Sequence, residues 1–315
     1  MENDNWPNIA IGTWSWGVGK IGGDEVFGNH LGEKELAPVV EQAMGNGFNL
    51  WDTAYSYGMG DSETILGNLL TKYDREKYLL STKFTPNIAG PGDHPVADML
   101  AGSLKRLHTD YINMYWIHNP DDVEKWTPQL IPLVKNGQIK HVGVSNHNLK
   151  QIKRAKEILE MGGIKLDAVQ NHYSLLDRTS ESNGILRFCK SNNIDFYSYM
   201  VIEQGALTGK YNTKNPLPAG SDRGKTYNKF LPQLEQLTDL LKKIGEQHGR
   251  SVAEVATAWA INKGTIPIIG VTNPAYIESE KNALTLSLST DEIHQLEKAA
   301  AKAGVNTTAD WETSL

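Results

Sequence analysis

The chain has 315 residues and carries 31 Lys plus Arg against 37 Asp plus Glu, a formal net charge of −6. With 39% hydrophobic and 22% charged residues it has the composition of a soluble globular protein, which excludes a disordered or collagen-like chain. No apolar run approaches the roughly 18 residues that span a bilayer, and no Lys/Arg-rich run offers phosphate neutralisation, so neither membrane nor nucleic acid is expected as a partner.

Short β-branched or aromatic runs predict strands at 9–13, 48–51, 78–83, 111–117, 141–144, 166–169, 194–198 and 265–269. Between the first two, Leu36, Val39, Val40, Ala43 and Met44 recur at the spacing of one buried helix face, and Gly45 and Gly47 offer left-handed stops. Val96, Met99, Leu100, Leu104 and Leu107 repeat that pattern between the third and fourth strands. Before the eighth, Leu234, Leu237, Leu241 and Ile244 make one helix, and Ser251 with Glu254 reads as a capping box opening another. Parallel neighbours need crossover connections of a dozen or more residues, so this alternation predicts an α/β fold. The expected form is a (β/α)8 TIM barrel, one domain over 1–315, with its site at the C-terminal ends of the strands. An open doubly wound sheet is the competitor, but no Gly-x-Gly-x-x-Gly follows an early strand.

The interval 208–229, with Pro216, Pro218, Gly220, Arg223, Gly224 and Lys225, is too long for a plain connection and reads as a flap over a ligand.

Chemistry-bearing residues gather at the strand ends. Asp52 follows the second strand directly, and Tyr57 lies five residues on. Lys83 ends the third strand, and His118 follows the fourth. A barrel brings these four to one mouth, where each alone would read as a cap, a snorkelling chain or packing.

With these residues in place, the sequence resembles the aldo-keto reductase family over nearly its whole length. Gly12, Thr13 and Trp14 look like its opening motif, and Asp52-Thr53-Ala54 with Tyr57-Gly58 looks like its signature. The resemblance implies NAD(P)H-dependent reduction of aldehyde or ketone carbonyls, with Asp52, Tyr57, Lys83 and His118 as the catalytic tetrad. It implies cofactor contacts from Gly12, Thr13, Trp14, Asp52, Ser145, Asn146, Gln170, Tyr197, Ser198 and Met200. Gly205, Leu207 and Lys210 at the start of the flap, and Gly270, Val271, Thr272 and Glu280 near the last strand, complete the set. NADP(H) is the favoured cofactor and NAD(H) the alternative, because 272–280 contains no Lys or Arg while Glu278 or Glu280 can accept from a free 2′-hydroxyl. Lys210, Arg223 or Lys225 would have to supply the cation for a 2′-phosphate. No metal is called for.

The chemistry follows from the residue types. A carbonyl accepting hydride needs a proton donor on its developing alkoxide. The phenol of Tyr57 has a reference pKa near 10, and bringing it to neutrality takes about 4 kcal/mol. An ammonium about 4 Å away contributes on that order at an effective dielectric near 20. Lys83 is therefore expected to acidify Tyr57, Asp52 to keep Lys83 charged, and His118 to orient the carbonyl. Trp14, Trp16, Tyr55 and Trp116, with Tyr57 and His118, are expected to wall the substrate pocket. The tail 306–315, with Trp311, is a further candidate for the mouth.

Departures from the family pattern are Asn113 in the fourth strand and Tyr199-Met200 after Tyr197-Ser198. Two alternatives stand beside the reductase: a nicotinamide-nucleotide-sensing regulatory subunit, and a Schiff-base aldolase using Lys83. The opening Met-Glu-Asn-Asp-Asn is unlike a secretory signal and Cys189 is the only cysteine, so a cytoplasmic location is expected. The partner is a small carbonyl or alcohol; oligomeric state is not read.

Overall fold

A computed structural model describes residues 6–308. Parallel strands β1 (Ala10–Gly12), β2 (Leu50–Asp52), β3 (Leu79–Phe84), β4 (Ile112–Ile117), β5 (Ile139–Ser145), β6 (Ala168–His172), β7 (Asp195–Tyr199) and β8 (Ile266–Gly270) pair in chain order. β8 also pairs with β1, Ala10 opposite Ile268 and Gly12 opposite Gly270, which closes the barrel and leaves no edge. All eight predicted strands are present, several displaced by a residue or two.

Side chains on a strand alternate between its two faces. Ala10, Leu50, Met114, Trp116, Ala168 and Tyr197 point inward and fill the barrel. Ile11, Trp51, Leu80, Tyr115, Val169 and Phe196 point outward and pack beneath the helices. On helix Glu33–Gly45, Leu36, Val39, Val40 and Ala43 are buried as their spacing predicts. Met44 is only partly buried, and the left-handed stop is Gly47, at φ 81, after Asn46 caps the helix. Helix Pro95–Arg106 buries Val96, Met99, Leu100 and Leu104, and helix Leu231–His248 buries Leu234, Leu237, Leu241 and Ile244. The Ser251–Glu254 capping box is formed: Ser251 N–H donates to the Glu254 carboxylate at 2.9 Å, and Glu254 N–H donates to Ser251 Oγ at 3.3 Å.

The interval 208–229 is structured. Ser221 caps helix Asp222–Tyr227, and the turn Asn228–Phe230 leads into the next long helix. Arg223 ties this helix across the mouth, because its guanidinium donates to Phe27 O at 2.9 Å and to Gln204 O at 3.0 Å. The segment therefore bridges the turn after β7 and the loop after β1.

Candidate active site

The inward parity that carries the barrel filling also carries the site. Asp52 lies two residues beyond Leu50 on β2, Lys83 two beyond Ser81 on β3, and His118 two beyond Trp116 on β4. Lys83 is fully buried, and its ammonium donates to Asp52 Oδ2 at 2.6 Å, Thr53 O at 2.8 Å and Tyr57 Oη at 3.3 Å. All three ammonium protons are thus directed. Asp52 Oδ1 accepts from Ser81 Oγ at 2.6 Å and from Gln170 Nε2 at 3.2 Å, and Ser81 Oγ accepts from Trp116 Nε1 at 2.7 Å.

Tyr57 arrives on a turn, Tyr57–Gly60, in which Gly58 has φ 61 and Met59 φ 51. A Cβ at Gly58 would lie 2.5 Å from Val18 O, so only glycine permits the approach that holds this turn against the loop after β1. The Tyr57 ring stacks on Trp14 at 5.7 Å and meets His118 edge-on at 6.0 Å. Because Lys83 donates to Tyr57 Oη, the phenol's own proton is left for a second acceptor.

The electrostatics correct one expectation. Burial pushes the Tyr57 phenol above its usual range, Lys83 pulls it back, and Asp52 adds to the rise, so the net direction is upward. Asp52 opposes the Lys83 field at the phenol, though by less than Lys83 contributes. Tyr57 is therefore a neutral phenol at neutral pH, the protonation state a proton donor needs. For Lys83, burial acts downward but Asp52 and then Tyr57 outweigh it, and the ammonium is held above its ordinary value. An amine kept protonated and fully engaged is built as an ion-pair partner, which argues against the Schiff-base alternative.

Burial and then the Lys83 charge hold His118 well below the ordinary imidazole value, so it is neutral. Its Nδ1 lies 3.0 Å from Thr85 Oγ1. When Thr85 donates there, the ring proton sits on Nε2, the tautomer that polarises a carbonyl.

On β5 and β6, Ser145 and Gln170 are opposite one another, and Gln170 is opposite Tyr197 on β7. Ser145 Oγ is buried with no partner among the described residues. Asn146 is held at φ 61; its Nδ2 donates to His118 O at 3.0 Å and Asn119 Oδ1 at 3.1 Å, while Oδ1 accepts from Tyr199 Oη at 2.6 Å. Along the β1–β8 seam, Ser15 Oγ is likewise buried and unpartnered, 3.7 Å from where a Cβ at Gly270 would stand.

Other expected contacts are placed differently. Ser198 faces out of the barrel and hydrogen-bonds Thr265 Oγ1 at 2.8 Å, so its side chain is corrected from a ligand contact to a core one. Trp16 is fully buried beneath the helices, donating to Val271 O at 2.9 Å, and Tyr55 packs against the Arg106 guanidinium at 4.7 Å. Neither walls the mouth. Trp116 fills the barrel below the tetrad and supports it through Ser81. Thr13 Oγ1 donates to Asp52 O at 3.3 Å and accepts from Ser62 Oγ at 2.8 Å, while Leu207 and Val271 are buried in the core. Gly12 sits opposite both Asp52 and Gly270; Met200 packs beside the flap at φ 60, and Gly205 turns beneath it at φ 105. Thr272 follows β8 half-buried. Glu280 is buried, and burial and then Glu254 push its carboxyl up to about 8. Lys225 pairs with Asp222 at 2.9 Å and Arg223 is held in the flap anchor, whereas Lys210 is exposed. Trp311 lies outside the described residues.

Ser81, Thr85 and Asn119 are not singled out by the sequence, and Tyr199 stands out there only as a departure from the family pattern. Strand parity identifies Ser81 and Tyr199, each two residues from an inward-facing neighbour; nothing local marks Thr85 or Asn119.

The closed parallel barrel thus sets an ion-paired lysine against a neutral phenol, next to a neutral imidazole and buried hydroxyls that have no partner among the described residues. Residues 8–301 match the model of the aldo/keto reductase family, and the chain belongs to that family. It is similar to the chloroplastic pyridoxal reductase of Arabidopsis thaliana, 31% identical over 308 residues that cover 93% of this chain and 82% of the relative. It is also similar to the NADH-specific methylglyoxal reductase of Escherichia coli, 29% identical over 89% of this chain and 90% of that one. Among solved structures, an aldo-keto reductase from Klebsiella pneumoniae in complex with NADPH superposes with a TM-score of 0.72 at 23% identity, covering 93% of this chain and 90% of that chain.

Proposed function

We propose that this chain reduces an aldehyde or ketone to the alcohol, reversibly, with Tyr57 as proton donor, Lys83 and Asp52 as its electrostatic support and His118 as the group that orients the carbonyl. The observation that carries this reading is the buried Lys83 ammonium, 2.6 Å from Asp52 and 3.3 Å from the Tyr57 hydroxyl, at the barrel mouth. As the carbonyl oxygen gains charge, Tyr57 transfers its proton to it, and the phenolate left behind faces an ammonium already in place. His118 Nε2–H stabilises the same oxygen and fixes which face of the carbonyl is presented.

A nicotinamide dinucleotide supplies the hydride when bound. The residues present fit it: Ser145, with its buried and unpartnered hydroxyl, Asn146 and Gln170 offer neutral hydrogen-bonding groups for a carboxamide, and Tyr197 brings a π-face alongside them. Beside the β1–β8 seam, Ser15 adds a buried, unpartnered hydroxyl next to Gly270. We favour NADP(H), with exposed Lys210 as the flap cation for a 2′-phosphate. NAD(H) is the second reading, supported by the absence of Lys or Arg in 272–280. Glu280, protonated near neutrality, offers a donor as well as an acceptor there. Among the described residues no helix is long and apolar enough to cross a membrane.

A panel of aldehydes and ketones followed by nicotinamide absorbance, with NADPH and NADH in parallel, tests the proposal. Carbonyl-dependent oxidation of either cofactor is the expected result. Binding of the reduced dinucleotide with no turnover on any carbonyl would instead favour the regulatory-subunit reading.

A further inference from the structure

The turn after β7 holds a buried carboxylate that this chemistry does not use. Glu203 has no solvent exposure and sits at φ 49, beside Gln204 at φ 50 and near Met200 at φ 60. Left-handed backbone at non-glycine residues is costly and persists where surrounding contacts over-determine it. Side chains from separate segments do so here. His172 Nε2, at the end of β6, lies 2.9 Å from Glu203 Oε1, and the Ser174 hydroxyl donates to the same oxygen. Thr307, in the C-terminal segment, donates to it at 3.2 Å. Tyr227, on the flap helix, donates to Oε2 at 2.6 Å.

From His172 the contacts return to the tetrad. Its ring stacks on Tyr199 at 5.6 Å, Tyr199 Oη donates to Asn146 Oδ1 at 2.6 Å, and Asn146 Nδ2 donates to His118 O at 3.0 Å. We infer that Glu203 is a positioning residue that latches the flap through Tyr227 and sets the carboxamide cradle through His172, Tyr199 and Asn146. The inference rests on reading the 208–229 flap as the cover of a bound dinucleotide. The Glu203 oxygens accept from three hydroxyls in a site with no solvent exposure, where a donor or acceptor left without its partner is costly. Release of the dinucleotide requires the flap helix to lift and the Tyr227–Glu203 bond to break, so the bond governs residence time.

Tyr227→Phe removes one hydroxyl and keeps the ring. With NADPH and NADH as probes in stopped-flow displacement, its dissociation rate is expected to rise about tenfold, equivalent to about 1.4 kcal/mol. The cofactor KM rises in step while kcat does not fall. Glu203→Gln keeps the shape of the joint but puts an amide nitrogen, which donates, where a carboxyl oxygen accepts. It is expected to raise the dissociation rate and also the carbonyl KM, because Asn146 and the His118 backbone lose their reference. Dissociation rates within twofold of wild type in Tyr227→Phe overturn the inference, as does a fall in kcat at unchanged dissociation rate. A wild-type chain that binds neither dinucleotide overturns the functional reading itself, an outcome distinct from equal dissociation rates in the two proteins.

Discussion

Replacing Lys83 by Met keeps much of the side-chain volume and removes the ammonium 3.3 Å from the Tyr57 hydroxyl. At that separation and an effective dielectric near 20, the charge is worth about 5 kcal/mol to a full phenolate. Only part of the phenolate charge has developed when the proton is in flight, so about half of this, roughly two orders of magnitude in rate, is the expected loss in kcat. The variant also leaves the Asp52 carboxylate buried without its cation, and losing one partner of a buried pair costs about 3–5 kcal/mol of stability. The two effects separate by assay. Single-turnover reduction of an aldehyde at saturating reduced cofactor reports the proton step, and dinucleotide titration with thermal unfolding reports the fold. A Lys83→Met protein that binds dinucleotide and turns over within fivefold of wild type would refute the electrostatic role assigned to Lys83.

Gly143→Ala places a Cβ 2.2 Å from Trp116 Cε3, in the ring that supports Ser81 and Asp52. Overpacking of this kind costs about 1–3 kcal/mol, and kcat should fall with stability; an unchanged melting temperature would show that Trp116 yields freely. Glu280 binds its proton more tightly folded, at about 8 against 4.5, so wild type loses stability as pH rises between those values. Glu280→Gln should gain relative to wild type across that window and level off above it, as differential unfolding across pH would reveal; a pH-independent difference contradicts the burial argument. Burial lowers His147 to about 4 even though Ser145 O contacts its Nδ1 at 2.6 Å, and His118 is lowered too. Both groups bind protons less tightly folded, so their contribution is present above about 6.5 and is lost as pH falls below it, for His147 toward about 4 and by up to about 3 kcal/mol. His147→Asn should flatten the acid limb of the unfolding curve, and an unaltered limb would show that His147 does not titrate there.

Much of the architecture was legible because a closed parallel barrel imposes repetitive demands. Each strand is a short apolar run and each return helix buries one stripe, as Leu36 to Ala43 and Leu234 to Ile244 do. Strand ends were displaced because pairing register decides them: Leu50–Asp52 is paired on both sides although Asp52 is charged. The gathering of Asp52, Tyr57, Lys83 and His118 is legible from strand-end placement, whereas the face a strand residue takes follows from the two-residue alternation. Applying the two-residue alternation from Tyr197 would have turned Ser198 outward. Trp16 and Tyr55 lie in loops, where no periodicity applies, and the helix layer claimed them. The upward direction at Tyr57 is not legible from residue types alone, because burial and Asp52, which both oppose Lys83, follow from the packed structure. The His172–Glu203 joint is built by residues far apart in sequence, and no local pattern announces it.

Tyr57→Phe tests the central claim most directly, because it removes the proposed acid and leaves the ring stacked on Trp14. In single-turnover experiments with bound NADPH or NADH, carbonyl reduction should fall by about three orders of magnitude or more while dinucleotide affinity stays within threefold. Reduction at a near wild-type rate would contradict the account, whatever the geometry around residue 57.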